Sequence, residues 1–250
     1  MDFDRHCTEI ITQTELLAAT VAGADLRKPV PSCPEWTLGM LLRHIGGGQR
    51  WAENIVRTRT EGSIGANELR ELDGDDTAEA PVEWLVEGAG LLAGTLRKAG
   101  PDQEVWTPFD DATPKFWARR FTHETLVHRA DATLAVGAEF TVTEPVALDA
   151  IDEWMTLDAN PVHFEYNPRK RELLGAGRTL AFEAADAGVS WFVDLTGDVI
   201  RWRRGPEEAA VTVRAPLTDL LLVIYRRKPA VDVRGDAALL DSWLTHVAFG

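Results

Sequence analysis

Apolar residues recur at helical spacing through the first half of the chain and give way to alternation in the second. From Phe3 to about Val21, Ile10, Ile11, Leu16 and Leu17 mark one helix. The proline-rich turn Lys28-Pro-Val-Pro-Ser-Cys-Pro34 ends it, and Thr37 is suited to cap the next helix. That second helix runs through Leu38, Leu41, Leu42, Ile45, Trp51 and Ile55 to about Arg59. Gly46-Gly-Gly48 inside it is unusual, because a glycine costs up to about 1 kcal/mol against alanine in a helix interior. The triplet reads equally as a close approach by another helix or a ligand, or as a kink. Residues 60–80 are polar and glycine-containing and predict a long loop. A third helix is expected from about Pro81 to Ala99, ended by Gly100-Pro101, and a fourth from about Pro114 to Val136, closed by Gly137. Four helices with one long connection predict an antiparallel bundle, a fold that builds metal sites from inward side chains.

From about residue 178 the period changes. Thr179–Ala184, Val189–Leu195, Val199–Arg203 and Ala210–Arg214 alternate as strands, with Gly197-Asp198 and Gly205-Pro206 at turns. Pro216 opens an apolar helix from Leu217 to Tyr225, Val231–Asp236 adds a last strand, and Ala237–Val247 a terminal helix. The fold class is therefore α+β. The division expected is a metal-binding four-helix bundle over 1–158, a linker over 159–177 and a smaller α+β domain over 178–250. The bundle portion includes a further helix at about 145–158 that leads into the connection.

Composition narrows the partners. The 250 residues are 45% hydrophobic and 26% charged, ordinary globular material. A net charge of -14 argues against a nucleic-acid partner, since phosphate binding needs clustered Lys and Arg. No apolar run approaches the roughly 20 residues a membrane span needs, and the N-terminus does not resemble a signal peptide. A cytoplasmic protein, monomeric or homodimeric, is the expectation. Cys7 and Cys33 cannot make a cysteine-rich zinc site or a disulfide framework. Cys33 reads as a small buried residue in a turn rather than a reactive thiol.

The candidate chemistry lies in Phe121-Thr-His-Glu-Thr-Leu-Val-His-Arg-Ala-Asp131. Glu124 and His128 are four apart, which at about 100° per residue places both on one helix face. His123 and His128 are five apart, about 140° around the helix, so this is not the His-Glu-x-x-His zinc-protease motif. Glu124 therefore reads as a metal ligand instead of a general base. His44, on the second helix among Leu41, Ile45 and Trp51, is the natural third ligand. Two imidazoles and a carboxylate with an open position suit a catalytic zinc. The competing reading is a buried Glu–His ion pair with His44 satisfied in the core. His123, Asp131 and Arg129 are secondary candidates: Asp131 to orient a ligand, Arg129 to pair with an acid on the bundle surface. His6, His163 and His246 show no partner pattern. Trp36, Trp51 and Trp117 are candidates to line a pocket.

Three segments together resemble the mycothiol-dependent maleylpyruvate isomerase family, within the DinB-like helical-bundle superfamily. They are Val30-Pro-Ser-Cys-Pro-Glu-Trp-Thr-Leu38 with Leu41-Leu-Arg-His44, Glu124-Thr-Leu-Val-His128-Arg-Ala-Asp131, and the pair Asp219–Pro229 and Val233–Leu240. The resemblance implies a DinB-like bundle followed by a sterol-carrier-protein-like α+β domain. It implies zinc, or another divalent metal, on His44, Glu124 and His128, and mycothiol as the small-molecule thiol. The metal would turn that thiol into a thiolate nucleophile for a small electrophilic substrate. Arg227 best matches the family's C-terminal arginine and suits a substrate carboxylate. In many relatives a glycine precedes that arginine, whereas here Arg226 does. S-transfer is preferred slightly over cis–trans isomerisation. The alternatives are a metal-dependent hydrolase using zinc-bound water, and a non-enzymatic ligand-binding protein with a structural metal.

Overall fold

Local capping signals set the helix boundaries of the first half. The computed structural model describes residues 1–60, 62, 81–109 and 111–247. Helix α1 (Phe3–Val21) starts at Asp2, whose side chain accepts the Arg5 N–H at 2.8 Å. Helix α2 (Leu38–Thr58) starts at Thr37, whose hydroxyl accepts the Met40 N–H at 3.2 Å. Helix α3 spans Val82–Ala99, and α4 (Pro114–Val136) opens on proline and closes on Gly137 in the left-handed region at φ 76°. Nearly all of the long loop expected over 60–80 lies outside the described residues.

These helices pack as a bundle, α1 against α3 and α4, α2 against α3 and α4. Two apolar clusters lie within it among the described residues. One gathers Ile10, Ile55, Leu92, Leu96 and Trp117; the other gathers Leu17, Leu38, Leu42, Ile45 and Leu85. The glycine triplet is resolved in favour of close approach. Helix α2 runs unbroken through it, and a Cβ on Gly46 would collide with the Trp84 ring of α3. A Cβ on Gly48 would stand 3.1 Å from Phe121 Cε1 of α4. Gly46 is thus too close to the Trp84 ring for a side chain, and Gly48 is tightly approached by Phe121.

The chain divides into two compact units, Met1–Phe140 and Thr141–Gly250. In the second, α5 (Glu144–Asp158) and α7 (Leu217–Ile224) pack together, with Trp154 and Tyr225 rings 4.3 Å apart. Residues 144–158, grouped with the bundle in the sequence reading, thus make these contacts within the second unit. The short helix α6 (His163–Tyr166) and a 3₁₀ turn (Pro168–Leu173) follow α5. The sheet has five strands in the order β3-β2-β1-β4-β5: Arg201–Arg204, Val189–Asp194, Thr179–Ala184, Val211–Ala215 and Asp232–Gly235. Among the described residues only β1 and β4 run parallel, with Phe182 opposite Val213 on one side and Trp191 on the other. The third strand begins two residues later than the alternation suggested. Helix α8 (Ala237–His246) places Trp243 against Phe182, centroids 5.0 Å apart. A buried Lys170–Asp158 ion pair at 2.5 Å holds the 3₁₀ turn to the end of α5. The architecture is α+β, as expected, and no helix among the described residues is long and apolar enough to cross a membrane.

Candidate metal centre

Helices α2 and α4 bring the three candidate ligands together. His44 Nε2 lies 3.2 Å from Glu124 Oε1, and His128 Nε2 lies 3.2 Å from the same oxygen. One carboxylate oxygen therefore faces two imidazole nitrogens from different helices. Arg120, one turn before Glu124, holds the other oxygen at 2.9 Å. The donor atoms of His44, Glu124 and His128 all fall within 4.8 Å of one another. The His44 side chain is 43% exposed and that of His128 only 10%, so the centre opens to solvent on the α2 side.

The electrostatics follow from this crowding. Burial pushes the Glu124 carboxyl up, but hydrogen bonds with His128 and His44 and the charge of Arg120 outweigh it and hold the group well below its ordinary range. Burial pushes His128 down, yet contacts with Asp131, Cys33 and Glu124 raise it well above an ordinary histidine. One imidazole is flanked by two carboxylates.

Asp131 is the second of these. Its Oδ2 stands 2.8 Å from His128 Nδ1 and 3.6 Å from the Cys33 thiol, which donates to it. Its Oδ1 accepts the Ser32 hydroxyl at 2.5 Å. The same turn carries Trp36, whose ring centroid lies 4.8 Å from that of His44 and 6.2 Å from that of His128, nearly parallel to the latter. Cys33 is half-buried and touches the site through Asp131, a closer involvement than a small turn residue implied.

The remaining candidates separate. His123 is fully buried and meets His6 edge-on at 5.8 Å, so it points toward α1 and away from the triad. Arg129 is buried as well, donating to Gln13 Oε1 at 2.9 Å with its guanidinium over Phe140. The expected surface pairing is corrected here, because α1 supplies a buried polar row of Glu9 and Gln13 opposite this turn of α4. Burial lowers the Arg129 pKa to about 10, against the upward pull of Glu9. Trp117 is buried and Trp51 half-buried, in an edge-to-face contact at 5.1 Å beside Trp106. Arg227, in the second unit, is half-buried just after α7 and donates to the Tyr225 carbonyl at 2.7 Å. Arg120 and Ser32 escaped the sequence reading. The i,i+4 spacing of Arg120 and Glu124 could have flagged the first. Nothing local could flag the second, which meets Asp131 across 99 residues.

A family profile, "Mycothiol maleylpyruvate isomerase N-terminal domain", matches residues 7–133, which contain all three clustered candidate ligands. The chain belongs to this family. The maleylpyruvate isomerase likeness extends to solved structures. A crystal structure of "the mycothiol-dependent maleylpyruvate isomerase" is similar at a TM-score of 0.61 and 14% identity, covering 93% of each chain. A histidine-to-alanine mutant of that enzyme is similar at 0.60 and 14%, again covering 93% of each. At this identity the likeness speaks for the fold. No curated protein matches the chain.

Proposed function

We propose that the protein is a mycothiol-dependent enzyme of the maleylpyruvate isomerase kind, with a divalent metal held by His44, Glu124 and His128. The carrying observation is the convergence of two imidazole nitrogens on one carboxylate oxygen, at 3.2 Å each, inside the segment that defines the family. Two ligand atoms on a tetrahedral zinc stand about 3.3 Å apart, given bonds of about 2.0–2.1 Å. The donor set fits zinc by type as well as spacing, and the carboxylate on His128 Nδ1 matches the usual support of a metal-bound histidine.

When bound, such a metal would supply Lewis acidity that favours the thiolate form of a coordinating thiol such as mycothiol. The chain's own residues prepare the place. Arg120 occupies Glu124 Oε2 and leaves Oε1 aimed between the imidazoles. Asp131 faces Nδ1 of His128 and favours a proton there, so the Nε2 proton is the one an incoming metal would displace. Trp36 covers the imidazoles with an apolar ring, while the exposed edge of His44 leaves a route for a small molecule.

Arg227 is the residue we assign to a substrate carboxylate. The register is supported by the backbone: Arg226 adopts φ 61°, the left-handed region that favours glycine. A left-handed residue at 226 supports the reading in which Arg226 stands where many relatives carry glycine and Arg227 takes the part of the family's arginine. A small unsaturated or otherwise electrophilic acid is the substrate class, and cis–trans isomerisation or S-transfer the reaction.

Isothermal titration of mycothiol into zinc-loaded protein tests this reading, with His44→Ala alongside. Binding that vanishes in the variant is the expected result. Tight zinc without thiol binding would overturn the thiol role and favour hydrolysis by an activated water. Protein that takes up no stoichiometric metal would overturn the metal centre itself.

A further inference from the structure

We infer that Ser32 is a positioning residue for the metal centre, acting through Asp131 on the imidazole of His128. The inference rests on the metal reading above and concerns how the chain keeps one nitrogen of His128 available. A neutral imidazole has one donor nitrogen and one acceptor nitrogen. To ligate through Nε2, His128 must carry its proton on Nδ1. A carboxylate at Nδ1 enforces that, because it only accepts, and Asp131 Oδ2 is there at 2.8 Å.

Asp131 does this only if its carboxylate stays oriented. It is fully buried, and its two oxygens are engaged differently: Oδ2 by His128 and the Cys33 thiol, Oδ1 by the Ser32 hydroxyl. At 2.5 Å the Ser32 bond lies in the short range of a hydroxyl donating to a charged oxygen. Rotating the carboxylate would break contacts at both ends at once.

Ser32 is itself held by a folded turn. Val30 N–H donates to the Trp36 carbonyl at 2.9 Å, Cys33 N–H to Val30 at 3.1 Å, and Trp36 N–H to Cys33 at 3.1 Å. Pro34 and Glu35 are the central residues of the last turn, and Glu35 takes φ 72°, a left-handed conformation usually given to glycine or asparagine. Such a conformation persists where its surroundings over-determine it. The turn therefore reaches both metal-facing histidines: His128 through Ser32 and Asp131, and both rings through Trp36.

The bland alternative is that Ser32 merely satisfies a buried carboxylate, in which case its loss would lower stability and leave the metal site alone. Zinc affinity by competition with a chromophoric chelator separates the two, measured on wild type, Ser32→Ala, Ser32→Thr and Asp131→Asn. Imidazole nitrogen NMR on the zinc-loaded proteins reads the proton on His128 Nδ1. Ser32→Ala is expected to weaken zinc about 10-fold, and Ser32→Thr, which keeps the hydroxyl, to stay within about twofold of wild type. Asp131→Asn is expected to weaken it about 100-fold, because an amide N–H facing Nδ1 favours the proton on Nε2. If Ser32→Ala does not fold by circular dichroism, Ser32→Cys, which puts a weak S–H donor in place of the hydroxyl, carries the comparison and is expected to weaken zinc in the same direction. Wild-type zinc affinity and an unchanged Nδ1 proton in a folded Ser32→Ala would overturn the inference, whatever Asp131→Asn shows. A wild type that binds no zinc would instead overturn the metal reading on which it rests.

Discussion

His44 Nε2 and Glu124 Oε1 meet at 3.2 Å although 80 residues separate them along the chain. The contact joins α2 to α4 at the point where His128 approaches the same oxygen. In the proposed metal centre, removing any of the three donors would leave two ligands for the ion. Glu124→Ala and His44→Ala are each expected to lose stoichiometric zinc, measured by metal analysis after dialysis. A ligand at 100 times its dissociation constant stabilises a folded protein by about 2.7 kcal/mol. Zinc should therefore raise the unfolding temperature of wild type and leave both variants unmoved.

Gly46→Ala should destabilise the protein, against the usual sign of a glycine-to-alanine change in a helix. Helix propensity alone favours alanine by up to about 1 kcal/mol. Here the added methyl collides with the Trp84 ring, and overpacking of this kind costs about 1–3 kcal/mol. Gly94, on the exposed side of α3 with nothing within 4 Å of the place a methyl would take, is the control. Gly94→Ala should gain up to about 1 kcal/mol in the same urea titration.

Arg226→Gly should stabilise the second unit, because a left-handed conformation costs a non-glycine residue about 1–2 kcal/mol. The gain is smaller than that figure because glycine also loses more freedom on folding. Arg227→Ala should leave zinc affinity unchanged while raising KM for substrates that bear a carboxylate. Equal losses for Arg226→Ala and Arg227→Ala in steady-state kinetics would sink the assignment of Arg227.

Stability should fall as the pH drops from about 6.5 to about 4, in part through His163. Burial first, and the charge of Lys170 second, lower its pKa from 6.5 to about 4. The unfolded chain then binds a proton in this window that the folded chain refuses, so folding weakens as pH falls. Above pH 6.5 both states are neutral there and the effect is absent. Denaturant midpoints across this range should vary less in His163→Asn than in wild type. Identical slopes would show that His163 does not contribute.

The helices and strands were legible because their signals are local. Thr37 caps α2 by bonding Met40, Gly137 ends α4 at positive φ, and alternation in 179–184 and 189–194 matches two paired strands. Half of the candidate site was legible for the same reason. Glu124 and His128 share a face because helical geometry puts residues four apart on one side. His44 was named from its place on the second apolar-striped helix, and the family-bearing segments added Arg227, which no spacing could connect to it.

By itself, then, the amino-acid sequence determined the bundle helices to within a residue or so, the α+β class and the shared face of Glu124 and His128, since each depends on residues within one or two turns. Tertiary structure decided the rest. It chose close approach over a kink for Gly46 and Gly48, because Trp84 and Phe121 arrive from other helices. It buried Arg129 against Gln13, and it joined Ser32 to Asp131. These relationships depend on where distant segments end up, and a hydrogen bond or a steric contact between them leaves no periodic trace in the order of residues.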